Sequence, residues 1–182
     1  MDFIVENALK AQNNSPEDIQ TGQANIKVVG VGGAGNNMVG WLYNKGVKGA
    51  EIIAVNTDKQ HLDITNSDAK FLIGKEVTRG LGCGGFPERG TEAAQESIQE
   101  LKENLKGADM AFVCAGMGGG TGTGAAPVVA QVAKDAGAIV IGTVTMPFNI
   151  ERARVDKAEF GLQQLRQVSD TVIVIEMVRL RW

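Results

Sequence analysis

Short runs of almost uninterrupted apolar residues recur along the chain, separated by stretches in which apolar and polar positions mix. Strands that helices cover on both faces have this pattern in parallel sheets, whereas strands with one exposed face alternate between apolar and polar residues. We therefore predict six buried strands, at 26–31, 51–55, 70–73, 109–116, 138–146 and a last one that ends at Ile175.

The mixed stretches carry apolar residues at helical spacing. Ala94, Ile98, Leu101 and Leu105 share one face of a helix that stops at Gly107. The predicted helices cover 34–46, 91–107, 125–137 and 153–168, and a polar, glycine-rich loop covers 74–90. This order, β-α-β-β-α-β-α-β-α-β, indicates an α/β fold, a Rossmann-like open parallel sheet with helices on both faces. Ligands of such folds bind at the carboxyl ends of the strands.

Residues 1–25 are predicted to be an N-terminal extension, and residues 26–182 a single domain. The extension begins with an apolar flank that includes Phe3, Val5 and Leu9, which predicts a short helix, and continues as a polar linker. It lacks the basic leader of a signal peptide, and no run approaches the roughly 20 apolar residues of a membrane span. We therefore expect a cytoplasmic protein without direct membrane insertion.

The composition is ordinary for a folded domain except in its glycine content. Of the 182 residues, 43% are hydrophobic and 21% charged, and a net charge of −3 without a basic run argues against a nucleic-acid partner. Cys83 and Cys114 are too few for a disulfide scaffold or a four-ligand zinc site, so we expect reduced thiols and no metal site of their own. The 24 glycines concentrate at 30–35, 80–85 and 116–124.

Two of the glycine clusters each follow a predicted strand and open a helix. They read "GVGGAGNN" (30–37) and "AGMGGGTGTGAAP" (115–127). A helix start presents unpaired N–H groups and a partial positive charge, and glycine lets the backbone approach an anion. Thr121 and Thr123 can add hydroxyl donors or touch a cation held by a phosphate. The two loops together predict a phosphate-binding site.

The first loop alone also fits a different function. Gly30, Gly32 and Gly35 have the spacing of the dinucleotide fingerprint, and Asp58 lies near the position of a ribose-binding acid. A Rossmann NAD-dependent oxidoreductase is therefore an alternative. The second loop argues against it, because such an enzyme has no use for that loop. The second loop is not a Walker A motif either, since no Gly-Lys-Ser/Thr ends it.

Several motifs resemble those of one known family. "GGGTGTG" (118–124) matches the signature of the tubulin/FtsZ superfamily, and "GVGGAGNN", "AVNTD", "TRGLGCGGFPERG" and "TMPFNIE" resemble FtsZ in the same order. The likeness covers roughly 26–176, and the wording "MPFNIERAR" is closer to archaeal than to bacterial members.

The resemblance implies the GTP-binding domain of a cell-division protein that polymerises at the division site. Its ligands would be GTP and GDP, with Mg²⁺ bound through the phosphates. Its partners would be further copies arranged head-to-tail, full-length FtsZ-like subunits and other cell-division proteins. In the family, GTP is hydrolysed between subunits. A tubulin-like protein of cell shape shares these motifs and stays an alternative.

The family's binding residues transfer onto matching positions. The first phosphate loop corresponds to Gly32, Gly33, Ala34, Gly35, Asn36 and Asn37, and the signature loop to Gly118, Gly119, Gly120, Thr121 and Gly122. The loop that senses the γ-phosphate corresponds to Cys83, Gly84 and Gly85. A loop that flanks the nucleotide corresponds to Asn56 and Asp58, and the acid that binds the ribose corresponds to Glu151.

The sequence departs from the family pattern in three ways. Val155 stands where an arginine is usual, and we expect Arg154 to replace it; Cys83 stands where a small residue is usual. The sequence also stops before the family's central helix and second domain, which carry the guanine contacts and the acidic catalytic loop. We therefore assign no catalytic residue, and we expect this chain by itself to bind GTP but barely to hydrolyse it.

Overall fold

The computed structural model describes residues 24–148 and 150–176, so the predicted helix and most of the linker in 1–25 lie outside the described residues. The described residues form a six-stranded sheet. Its strands are β1 (Ile26–Val31), β2 (Ala50–Asn56), β3 (Ala69–Leu72), β4 (Met110–Gly116), β5 (Ile139–Met146) and β6 (Thr171–Glu176). All neighbouring strands are parallel, in the order β3-β2-β1-β4-β5-β6. The predicted α/β architecture is confirmed.

The helices of the described residues divide between the two faces of the sheet. They are α1 (Gly32–Asn44), α2 (Lys59–Ile64), α3 (Lys75–Thr78), α4 (Pro87–Glu96), α5 (Ile98–Leu105), α6 (Thr121–Asp135) and α7 (Arg152–Val168). The larger core joins one sheet face to α4, α5, α6 and α7 through side chains such as Leu101, Val129 and Leu165. A smaller core joins the other face to α1 and α2 and includes the buried Val39 and Leu62.

The sheet order creates a crevice between two central strands. β1 and β4 are neighbours, the chain continues from β1 toward β2 on one side, and it continues from β4 toward β5 on the other side. α1 and α6 both begin where these two strands end. In open α/β sheets this reversal of strand order is where ligands bind.

Local structure between 57 and 107 differs from the prediction. The loop expected over 74–90 contains α3 and the start of α4, and α2 was not predicted. The single helix expected over 91–107 is interrupted at Ser97, whose hydroxyl accepts a hydrogen bond from the backbone N–H of Gly74 at 3.1 Å. The interruption at Ser97 coincides with this contact between segments 23 positions apart, which apolar periodicity does not encode.

The sheet face that carries α1 is not fully covered by the described residues. The exposed fractions of Ile139, Ile173 and Ile175, on the last two strands of the sheet, are 53%, 48% and 45%.

None of the described helices is long and apolar enough to cross a bilayer.

Both cysteines are buried and unpaired by any disulfide. Burial raises the pKa of the Cys114 thiol from its ordinary value of 9.0 to about 11, so this side chain is a neutral thiol at physiological pH. Cys114 packs in the smaller core, whereas Cys83 lies among polar side chains near the end of β2.

Candidate functional site

A cavity of about 270 Å³ opens at the carboxyl ends of β1, β4 and β5. Its walls are the last residues of these strands and the first turns of α1, α6 and α7. Eight of the binding residues predicted from the sequence line it: Gly33, Ala34, Gly119, Gly120, Thr121, Gly122, Glu151 and Arg154. The structure therefore brings both glycine-rich loops to one place.

Two helix N-termini face this cavity without side-chain caps. α1 begins after Val31 and α6 after Gly120, and neither of these N-cap residues accepts a side-chain hydrogen bond from its helix. Most helices satisfy part of the first turn through a Ser, Thr, Asp or Asn cap. Here the first N–H groups, with the positive ends of two helix dipoles, stay directed at the cavity. This arrangement suits an anion with several oxygens, such as a polyphosphate.

Two glycines of these loops leave open space on the cavity side. A Cβ built at Gly33 or Gly119 would have no protein atom within 4 Å. Both residues line the cavity, so packing within the described residues does not account for the missing side chains. A bound ligand that approaches the backbone at these two positions would account for them.

The other glycines of the loops are needed by the protein's own packing. A Cβ at Gly122 would lie 2.5 Å from the carbonyl oxygen of Gly116, and one at Gly30 would lie 2.5 Å from that of Gly35. A Cβ at Gly120 would lie 2.6 Å from the Cβ of Cys83. The explanation from sequence, that the glycine density serves an anion, is therefore incomplete. Most of these glycines allow helices and loops to approach one another closely.

Glu151 and Arg154 form the charged rim of the cavity. One oxygen of the Glu151 carboxylate accepts a hydrogen bond from Arg154 Nη1 at 3.0 Å, and the other accepts from the backbone N–H of Phe148 at 3.2 Å. The Arg154 side chain is 64% exposed, so this ion pair is solvent-screened and contributes little to stability. Arg154 can therefore turn toward a ligand at small cost.

The loop with Cys83, Gly84 and Gly85 lies beside the cavity and does not line it. Gly84 and Gly85 have φ values of 61° and 80°, in the left-handed region that favours glycine. Gly84 lines a separate cavity of about 480 Å³, and Lys157 of α7 donates a hydrogen bond to the carbonyl oxygen of Gly85 at 2.9 Å. The loop is thus anchored next to the site.

The remaining predicted residues lie outside the cavity. Gly32 (φ 72°) touches the signature loop, since a Cβ there would lie 2.7 Å from the nitrogen of Gly122. The N–H of Gly118 donates to Thr123 Oγ1 at 2.9 Å. Asp58 caps α2 by accepting from the N–H of His61 at 3.0 Å. Asn37 is exposed on α1 and does not line the cavity.

Gly35 and Asn36 are buried and connect α1 to the sheet. A Cβ at Gly35 would overlap the carbonyl oxygen of Cys114. Asn36 is fully buried, and with its amide oriented to satisfy both ends, it donates to the carbonyl oxygens of Gly30 at 2.9 Å and Val55 at 3.2 Å. Its oxygen accepts from the Asn56 amide at 3.0 Å in that orientation.

The sequence reasoning missed several residues that shape the cavity. Besides Val31 and Gly116, the lining includes Met117, Thr145, Met146 and Pro147. The last three stand at the end of β5, which was predicted correctly, so the rule that ligands bind at carboxyl ends of strands could have identified them. Thr57, which is buried against Thr121, was also missed.

A larger groove of about 610 Å³ runs along α6 between α4 and α7. Its lining is mainly apolar, with Pro127, Val128 and Phe160 among its residues. It reaches Thr123 and Gly124 in the first turn of α6, but no residue of α1 lines it, so the two helix starts do not converge on this groove as they do on the smaller cavity. We therefore take the smaller cavity as the functional site.

A model of the tubulin/FtsZ family, GTPase domain, matches residues 25–181. The chain belongs to this family. It is 60% identical over 155 residues to cell division protein FtsZ 2 of Methanocaldococcus jannaschii, covering 85% of this chain and 41% of that protein. A solved FtsZ dimer from M. jannaschii superposes with a TM-score of 0.84 at 46% identity, covering 94% of this chain and 49% of that chain.

A second group of solved structures is less similar. A GTPγS-bound protofilament of CetZ2 from Haloferax volcanii has a TM-score of 0.75 at 28% identity, over 84% of this chain and 49% of that chain. The chain spans less than half of the FtsZ 2 relative. Family membership confirms the resemblance read from the loops and decides against the oxidoreductase alternative.

Proposed function

We propose that this chain is the guanine-nucleotide-binding domain of an FtsZ-type cell-division GTPase, and that the cavity between β1 and β4 holds the phosphates of GTP or GDP. The observation that carries the proposal is the convergence of two uncapped helix starts on Gly33 and Gly119, where a side chain would meet no protein atom. Membership of the tubulin/FtsZ family supports guanosine as the nucleoside.

Each part of the nucleotide has a matching region of the site. The α- and β-phosphates lie against Gly119, Gly120 and Thr121, and the γ-phosphate points toward the loop with Gly84 and Gly85. The ribose hydroxyls lie near Glu151. Mg²⁺ would bind through the phosphate oxygens and neutralise part of their charge; the described residues contain no group of three His, Cys, Asp or Glu side chains that could hold a metal ion.

The whole protein acts, in this proposal, in the cytoplasm at the division site. Copies associate head-to-tail, and hydrolysis takes place between subunits. The solved dimer of an M. jannaschii FtsZ and the protofilament of a CetZ2 support self-association of this kind. A role in division is favoured over one in cell shape, because the chain is 60% identical to a protein named cell division protein FtsZ 2.

Nucleotide selectivity tests the proposal. The purified 182-residue chain is titrated with GTP, ATP and NADH in the presence of Mg²⁺, and bound nucleotide is identified by chromatography of the denatured protein. Saturable binding of GTP and GDP, with much weaker binding of NADH, is the expected result; discrimination against ATP should be smaller, because the guanine contacts of the family lie in its second domain. Absence of GTP and GDP binding would contradict the proposal, and tight NADH binding in its place would favour the oxidoreductase alternative.

The role of Glu151 predicts a measurable preference for ribose. If its carboxylate accepts from the ribose hydroxyls, wild-type protein should bind 2′,3′-dideoxy-GTP severalfold to about tenfold more weakly than GTP, the worth of one hydrogen bond. Glu151→Ala should bind both nucleotides equally. Binding isotherms for the four combinations provide the measurement. Equal discrimination by both proteins would show that Glu151 does not contact the ribose.

We expect the 182-residue chain by itself to turn GTP over slowly. Glu151 is the single acid among the described residues that line the cavity, and the proposed function assigns its carboxylate to the ribose and not to the attacking water. A missing water-positioning group typically costs about a hundredfold in rate or more. Phosphate release should rise when a nucleotide-binding-defective full-length FtsZ supplies its acidic loop. Brisk turnover without that partner would contradict the expectation.

A further inference from the structure

Thr57, Cys83 and Thr121 bring three separate loops together beside the cavity. The Thr57 and Thr121 hydroxyl oxygens are 2.6 Å apart, and each lies 3.4 Å from the sulfur of Cys83. Thr57 is fully buried and Cys83 is 3% exposed, whereas Thr121 lines the cavity. The family resemblance assigned a role to Thr121 but none to Thr57.

The direction of the hydrogen bonds follows from counting protons. Each of the three side chains has one hydrogen to donate. The Thr121 hydroxyl donates to Cys83 Sγ, so the short bond between the two threonines must be donated by Thr57. The Cys83 S–H is then left to donate to Thr57 Oγ1, which closes the ring.

The ring contains one weak and one strong link to Thr121. Sulfur is a weak acceptor, so the Thr121 hydrogen is held loosely by Cys83. The hydroxyl–hydroxyl bond from Thr57 has a short length and fixes the Thr121 oxygen. An anion that enters the cavity can therefore take the Thr121 hydrogen in exchange for the bond to Cys83, while Thr57 continues to hold the oxygen in place.

Thr57 is itself held firmly by its backbone. Its N–H donates to the Asn56 side chain at 2.9 Å, and its carbonyl oxygen accepts from the N–H of Gly82 at 3.1 Å. A donor on such a fixed backbone can orient a neighbour without moving.

We propose that Thr57 is a positioning residue: it donates to Thr121 and thereby orients the Thr121 hydroxyl to donate to a nucleotide phosphate, without touching the nucleotide. This rests on the proposed function, because it requires phosphate in the cavity. It predicts that the Thr57 hydroxyl affects GTP binding only through Thr121.

A double-mutant cycle tests the proposal. GTP dissociation constants are measured for wild type, Thr57→Val, Thr121→Val and the double variant, with urea unfolding of each protein alongside. Thr57→Val should weaken GTP binding about two- to tenfold, the range for one hydrogen bond. In the Thr121→Val background the same change should have no further effect on affinity, even where it lowers stability. Thr57→Ser should restore wild-type affinity.

The possible outcomes separate this inference from the proposed function. Absence of GTP binding by wild type would overturn the proposed function, and this inference with it. Normal binding by wild type combined with unchanged affinity in Thr57→Val, or an equal loss in both backgrounds, would overturn the inference alone. Thr57→Ala takes the place of the valine variant in the cycle if the latter does not fold.

Discussion

Gly124→Ala is expected to lower the free energy of unfolding by about 3 kcal/mol or more, a large part of the stability of a typical domain. A Cβ at Gly124 would overlap the carbonyl oxygen of Pro87 and lie 2.8 Å from the backbone nitrogen of Thr91. The Thr91 hydroxyl also donates to the carbonyl oxygen of Gly124 at 3.1 Å. Because these neighbours are backbone atoms, α4 and α6 must separate to admit a methyl group. Urea unfolding measures the loss.

Gly40→Ala is the matched control for this prediction. Gly40 lies in α1, and a Cβ there would have ordinary contacts of 3.7 Å with Thr65 and Asn66. Alanine in a helix interior is more stable than glycine by roughly 0.5–1 kcal/mol, so this variant should equal or exceed wild type in stability. Wild-type stability of Gly124→Ala would mean that α4 and α6 do not pack this closely.

Gly119→Ala is expected to have the opposite profile, with full stability and lost nucleotide binding. A methyl group at Gly119 meets no protein atom within 4 Å, but it enters the cavity where a phosphate would lie. We expect GTP affinity to fall about tenfold or more, the equivalent of one lost hydrogen bond to a charged group. Gly33→Ala should behave in the same way. Calorimetric titration with GTP and urea unfolding on the same preparations give the two quantities.

Gly120→Ala shows what a variant that disturbs the loop itself looks like, in contrast to one that only blocks phosphate binding. A Cβ at Gly120 would lie 2.6 Å from the Cβ of Cys83 and 3.0 Å from the nitrogen of Phe86, so this variant should lose both stability and affinity. Wild-type GTP affinity in both Gly33→Ala and Gly119→Ala would contradict the placement of the phosphates.

The large elements of the fold were predictable because their signals are local. Near-continuous apolar runs identified all six strands of the described residues, and helix periodicity identified α1, α6 and α7. The interruption at Ser97 was not predictable, because it depends on a hydrogen bond to Gly74. The short α2 has a local signal in its Asp58 cap, but Asp58 was interpreted as a nucleotide contact.

The candidate site was predictable in its loops but not in the function of each residue. A glycine looks the same in sequence whether it lines an open cavity, as Gly119 does, or packs against another backbone, as Gly124 does. Only the positions of neighbouring atoms separate the two. Thr57 illustrates the same limit, because its contact with Thr121 joins residues 64 positions apart.

The most direct test of the central claim is an amide NMR titration of the chain with GTP and Mg²⁺. The largest chemical-shift changes are predicted at Gly33, Gly119 and Thr121, where the two helix starts face the cavity. Signals from Phe160 and Gln164 report on the apolar groove along α6 and should stay nearly unchanged. Shifts concentrated in that groove, with none at Gly33 or Gly119, would contradict the account.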